Sequence, residues 1–114
     1  MKYEIEHDET YTILTIQNEK LDSEIAPDLK SQLIILTNSD EQNDLIMDLS
    51  HVSFADSSGL SSLLLANRLY RDNDRKIVLC NVGERVQKLI DISQLTSTFT
   101  ITDSRDDAIT QITG

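Results

Sequence analysis

Residues 44–68 read DLIMDLSHVSFADSSGLSSLLLANR. Leu45 to Leu49 is a short, nearly continuous apolar run bounded by polar residues, the pattern of a strand buried on both faces. Leu60, Leu63, Leu64, Leu65, Leu69 and Tyr70 then recur so as to make a helix apolar round much of its circumference, which must pack on a sheet. Between the two lies ADSSGL, Ala55 to Leu60, with two adjacent hydroxyls and a glycine at the passage from strand to helix. A buried strand, a short polar loop and a covering helix make one unit of an α/β sheet.

The flanking sequence repeats the unit. Upstream, Tyr3 to His7 alternates apolar and polar residues and Tyr11 to Gln17 is rich in β-branched residues, so both read as strands. The link Asp8 to Thr10 is short enough for a hairpin, which makes this pair antiparallel. Asp22 or Ser23 can cap a helix starting near Glu24, where Pro27 is tolerable because first-turn amides lack an intrahelical partner. Ile25, Leu29, Leu33 and Leu36 continue it at helical spacing, and it should end in the polar cluster Asn38 to Asn43.

Downstream, Lys76 to Val82 contains IVLC, a second buried strand, followed by a helix from about Gly83 with Val86, Leu89 and Ile90 on one face. Thr98 to Ile101 reads as a weaker last strand. Ser104 with Asp107 three residues on is a variant capping box for a final helix carrying Ala108, Ile109 and Ile112. Alternation of this kind requires parallel strands joined by right-handed crossovers. The expected fold is therefore α/β, one domain over residues 1–114. Its sheet should be mixed but mostly parallel, with about five strands, about four helices and the first strand antiparallel.

Composition narrows the function. Twenty acidic against ten basic residues give a formal net charge of −10, which repels phosphate backbones and anionic headgroups, so nucleic acid and membrane surfaces are poor partners. The single cysteine cannot form an internal disulfide, and MKYEIEHDET has neither a basic nor an apolar leader segment. No apolar run approaches the roughly 18 residues of a membrane span. A reducing cytoplasm is the expected compartment.

In open α/β sheets ligands and partners meet the loops at the carboxyl ends of the parallel strands, where ADSSGL falls. On local chemistry alone Asp56, Ser57 and Ser58 can simply cap the helix, since Asp and Ser accept hydrogen bonds from first-turn amides. Serine catalysis at Ser57 would need a histidine base held by a carboxylate. The segment is not a GxSxG elbow, and the two histidines, His7 and His51, fall on a first strand and in a loop. One glycine with no following lysine makes no P-loop, and the scattered Cys80, histidines and carboxylates show no ligand spacing, so neither cofactor nor metal is expected. What remains is a hydroxyl at a helix N-terminus, where a phosphate would face free amides and the positive end of the dipole.

The run IMDLSHVSFADSSGLSSLLLANR resembles the signature of the STAS domain, and more narrowly of the bacterial anti-anti-sigma factors, or anti-sigma factor antagonists. LDSEIAPDLK is similar to that family's leucine-aspartate followed by a first helix, and IVLCNVGERVQKLIDISQL to its fourth strand and third helix. The resemblance implies a binding module rather than an enzyme. Its partners would be a GHKL-type serine kinase that also sequesters a sigma factor, and a PP2C-type phosphatase. By residue matching the phosphorylated serine is Ser57; the unmodified form would capture the kinase and free the sigma factor. Asp56 would be either a cap or a partner-binding carboxylate. Ser58 would tune the first turn, Gly59 would let a partner backbone approach, and Asp22, on a neighbouring loop, would be an interface residue or a cap. Glu19 and Gln94 stand where the family often has glycine, which leaves the shapes of two turns open.

Two other readings stay in view. The same fold serves as a subunit or regulator of membrane transporters or of stress-sensing assemblies, and Ser57 favours the switch over these. A nucleotide-binding module would want basic residues near ADSSGL, and the nearest along the chain is Arg68 on the following helix.

Overall fold

The computed structural model describes residues 1–39 and 43–114. Strand β1 (Tyr3–His7) pairs antiparallel with β2 (Tyr11–Ile16), Tyr3 opposite Ile16 and His7 opposite Thr12. A two-residue strand β3 (Lys20–Leu21) leads into helix α1 (Ala26–Thr37). Strand β4 (Asp44–Asp48), the two-residue β5 (Phe54–Ala55) and helix α2 (Ser57–Asp72) follow. Then come β6 (Ile77–Cys80), α3 (Glu84–Ile92), β7 (Ile101–Thr102) and α4 (Arg105–Thr113). The main sheet has five strands in the order β1-β2-β4-β6-β7, and every pairing after the first is parallel. The expected mixed sheet with four helices is therefore the fold.

Both faces of the central strands are covered, which is why their sequences lack polar alternation. Leu14, Ile16, Leu45, Met47, Ile77 and Leu79 point into one core, with Leu29 and Leu33 from α1 and Leu60, Leu63, Ala66 and Tyr70 from α2. Ile13, Ile46, Val78 and Cys80 point the other way, against Ala108 and Ile112 of α4. Leu63 is wholly buried, and truncating such a leucine to alanine costs about 2–5 kcal/mol.

Two local expectations need correction, the start of α1 and the bounds of the last strand. Helix α1 starts at Ala26, not near Glu24, and its N-cap position is Ile25 with no side-chain cap. Asp22 instead closes the preceding turn, its Oδ1 accepting from the Glu24 amide at 3.1 Å and its carbonyl from the Ala26 amide at 2.9 Å. The last strand is Ile101–Thr102, displaced from Thr98 to Ile101, because Phe99 is a buried core residue of the connection. Helix α1 ends at Thr37, and residues 40–42 of the expected polar terminus lie outside the described residues. The small strands β3 and β5 pair in parallel as a separate two-stranded sheet, which hydrophobic periodicity does not register.

Gln94 adopts φ 61° just beyond α3, the left-handed region that favours glycine, so the turn keeps the shape a glycine would take. Glu19 has no such φ. Its carbonyl accepts from the Ser53 and Phe54 amides at 2.8 and 3.3 Å and opens the β3–β5 pairing.

Candidate functional site

The loop after β4 is built outward from Asp48, which is buried at the end of that strand. Its Oδ1 accepts from the Ser50 amide at 2.9 Å and the Asn81 side-chain amide at 3.2 Å, and its Oδ2 takes the Arg105 Nε–H at 2.7 Å. Arg105 also donates to Glu6 at 2.8 Å and to the Thr15 hydroxyl at 2.7 Å, tying α4 to three strands. Burial alone would raise the Asp48 pKa, but the bonds from Arg105, Ser50 and Asn81 outweigh it and hold the carboxyl below its ordinary value. Sequence reading missed this anchor, and the signal was an aspartate inside an apolar strand, which needs a partner.

The second fixed point is the β3–β5 pair. Leu21 lies opposite Ala55, and the Asp56 amide donates to the Leu21 carbonyl at 3.2 Å, so Asp22 and Asp56 begin adjacent loops. Asp56 is the N-cap of α2: its extended backbone lets Oδ1 accept from the Gly59 amide at 3.0 Å, and its carbonyl accepts from the Leu60 amide at 3.0 Å. Gly59 is buried, and a β-carbon there would overlap the Leu21 carbonyl oxygen. The close approach that Gly59 permits is thus made by the chain's own β3, not by a partner backbone.

Ser57 is the first residue of α2 and is exposed. Among the described residues nothing hydrogen-bonds its hydroxyl, whereas the amides of Gly59 and Leu60 are already taken by Asp56. Ser58 is half-buried, and its carbonyl accepts from the buried Ser62 hydroxyl at 3.1 Å. Phe54, two residues before the cap, carries the Arg85 guanidinium 5.5 Å above its ring, which brings α3 to the edge of the loop. Among the described residues, four clefts elsewhere on the surface are lined without any of residues 55–59.

The remaining candidates do not converge on Ser57. His7 lies opposite Thr12, at the end of the sheet where β4 begins, and its Nδ1 is 3.2 Å from the Thr12 hydroxyl. His51 is exposed in the β4–β5 connection. Cys80 is buried with its thiol pushed up to about 11 by burial and then by Asp48, so it stays protonated and unreactive. Among the described residues no group of His, Cys, Asp and Glu side chains is arranged to hold a metal ion, and no helix is long and apolar enough to cross a membrane.

The family model described as the STAS domain matches residues 2–108. An anti-sigma F factor antagonist from Paenibacillus polymyxa is 25% identical over 112 residues, covering 98% of this chain and 95% of its own. An anti-sigma-B factor antagonist from Staphylococcus epidermidis is 29% identical over 91 residues, covering 80% of this chain and 82% of its own. In three dimensions an anti-sigma factor antagonist from Mycobacterium paratuberculosis superposes with a TM-score of 0.84 at 22% identity, over 99% of this chain and 94% of that one.

Proposed function

The chain belongs to the STAS domain family, and on that premise we propose that it is an anti-sigma factor antagonist whose grip on its partner is set by phosphorylation of Ser57. In this reading residues 1–114 act as one STAS module. The partner is an anti-sigma factor that is also a GHKL-type serine kinase, and binding it releases a sigma factor. The kinase transfers the γ-phosphoryl group of ATP to Ser57 Oγ, the hydroxyl proton leaves, and ADP departs. A PP2C-type phosphatase reverses the step by hydrolysis, giving inorganic phosphate and free Ser57. The module itself binds and does not catalyse.

The observation that carries the reading is the contrast within one turn of helix. Asp56 and Gly59 are committed to the fold, while Ser57 between them is exposed and its hydroxyl has no hydrogen bond among the described residues. A phosphate on Ser57 would add about −1.5 to −2 charges beside Asp56 without displacing any bond that holds the loop. In this reading Ser58 beside Ser57 and Asp22 on the adjoining loop are partner-contacting residues, Asp56 orients the turn, and Gly59 contributes by letting the loop sit on Leu21. Names carried by the Paenibacillus and Staphylococcus relatives support an anti-sigma factor as the target class.

Incubation with the cognate kinase and ATP, followed by peptide mass spectrometry, should place one phosphate on Ser57. Modification chiefly at Ser58 or Ser53 would overturn the assignment.

A further inference from the structure

Half of the chain's ten basic side chains, Lys30, Arg68, Arg71, Arg75 and Lys76, line two adjoining clefts that follow α2 from Ser61 to Arg71 and continue past its end. The clefts, of about 490 and 600 Å³, share Asn67, Arg71 and Thr98 and so form one groove. Among the described residues the ion pairs are those of the amino terminus with Asp28 and of Arg105 with Glu6 and Asp48, and none of the five groove cations takes part. Asp74 is the only carboxylate among the described lining residues. Placement at the C-terminus of a helix accounts for Arg71, which offsets the dipole there, but not for Lys30, Arg75 or Lys76, which lie outside that turn.

We propose that this groove docks an acidic, apolar-containing segment of another protein, at a surface separate from the Ser57 switch. Charge complementarity selects the occupant. On a molecule of net charge −10 the groove gathers five cations that have no carboxylate partner among the described residues, so it attracts carboxylates against the repulsion of the mean surface charge. Half-buried Leu64 and Leu65 on its wall receive apolar side chains between those carboxylates. No aromatic side chain lines either cleft, so a nucleobase would find nothing to stack on. The groove begins at Ser61, one turn from Ser57, but Arg71 stands fourteen residues from Ser57 on the same helix, about 21 Å along its axis at 1.5 Å per residue, and Arg75 and Lys76 lie beyond it, so the cationic end is remote from the switch.

The test is an NMR titration of the ¹⁵N-labelled full chain with a short synthetic peptide of repeated Glu-Glu-Leu-Leu units. Shifts should centre on Asn67, Arg71 and Thr98. The double charge reversal Arg71→Glu with Arg75→Glu should weaken binding at least about tenfold, while Ser57→Glu leaves it within about twofold. If the reversed protein does not fold, Arg71→Gln with Arg75→Gln should still weaken binding by several-fold. Shifts centred on ADSSGL, or unchanged affinity in a folded variant, would overturn the proposal. So would equal binding by a poly-glutamate peptide or inorganic polyphosphate, which would reduce the groove to general anion attraction. Sedimentation of the unliganded chain as a dimer that the Arg71 and Arg75 changes dissociate would overturn it too, since a second copy would then be the occupant.

Discussion

Gly59 and Ser57 are two residues apart and do opposite things. Gly59 is fixed because the Leu21 carbonyl occupies the space of a β-carbon, so Gly59→Ala must push β3 away from α2. The expected loss is about 2–3 kcal/mol, the upper range for overpacking, read as a lower urea midpoint. Asp56→Ala removes the acceptor of the Gly59 amide and should cost about 1 kcal/mol by the same measurement. Gln94 offers the reverse experiment: its φ of 61° suits glycine, so Gln94→Gly should raise stability by roughly 0.5–1 kcal/mol, and a loss would show that its side chain has a role in the turn. Ser57 was legible in the sequence as a helix-start hydroxyl. The intramolecular use of Gly59 was not, because it depends on a neighbour 38 residues away in the chain, Leu21.

At the scale of elements, α4 is joined to β4 by the Arg105–Asp48 pair, and this pair makes stability depend on pH. The folded pKa of Asp48 lies below its unfolded value, so its contribution is complete above the ordinary carboxylate value of about 3.9 and is lost as pH falls through the lower folded one. With Asp48 buried but the Arg105 side chain 35% exposed, Asp48→Asn should cost about 2 kcal/mol at neutral pH, discounted for solvent screening at the arginine. In a urea series taken into acid, the variant should lose less stability than the parent as pH drops below about 4. Parallel acid limbs would contradict this. The long elements were readable because β4 and β6 are apolar runs buried along almost their whole length and α2 buries Leu60, Leu63, Ala66 and Tyr70 at helical spacing. The two-residue strands β3 and β5 carry no period at all, and α1 begins late because the Asp22 turn, closed by two hydrogen bonds, occupies residues that look like its cap. The role of Arg105 was not legible, since nothing near it in the chain reveals Asp48 57 residues away.

For the molecule as a whole, a switch of binding and a switch of folding leave different marks on stability. A phosphate on Ser57 faces the positive end of the α2 dipole, worth roughly 0.3–1 kcal/mol, against repulsion from Asp56 and an overall charge of −10. These oppose each other, so phosphorylation should move the unfolding free energy by less than about 1 kcal/mol and leave the urea slope unchanged. Melting of α2 instead would expose Leu60, Leu63, Ala66 and Tyr70, all buried, and would cost several kcal/mol with lost helicity by circular dichroism. The central claim is that Ser57 controls affinity through local charge, and titration calorimetry of Ser57→Ala and Ser57→Glu against the cognate anti-sigma factor tests it most directly. Ser57→Ala should bind like the unmodified protein and Ser57→Glu about 100-fold more weakly, a difference of about 2.7 kcal/mol; equal affinities for the two variants would contradict the mechanism.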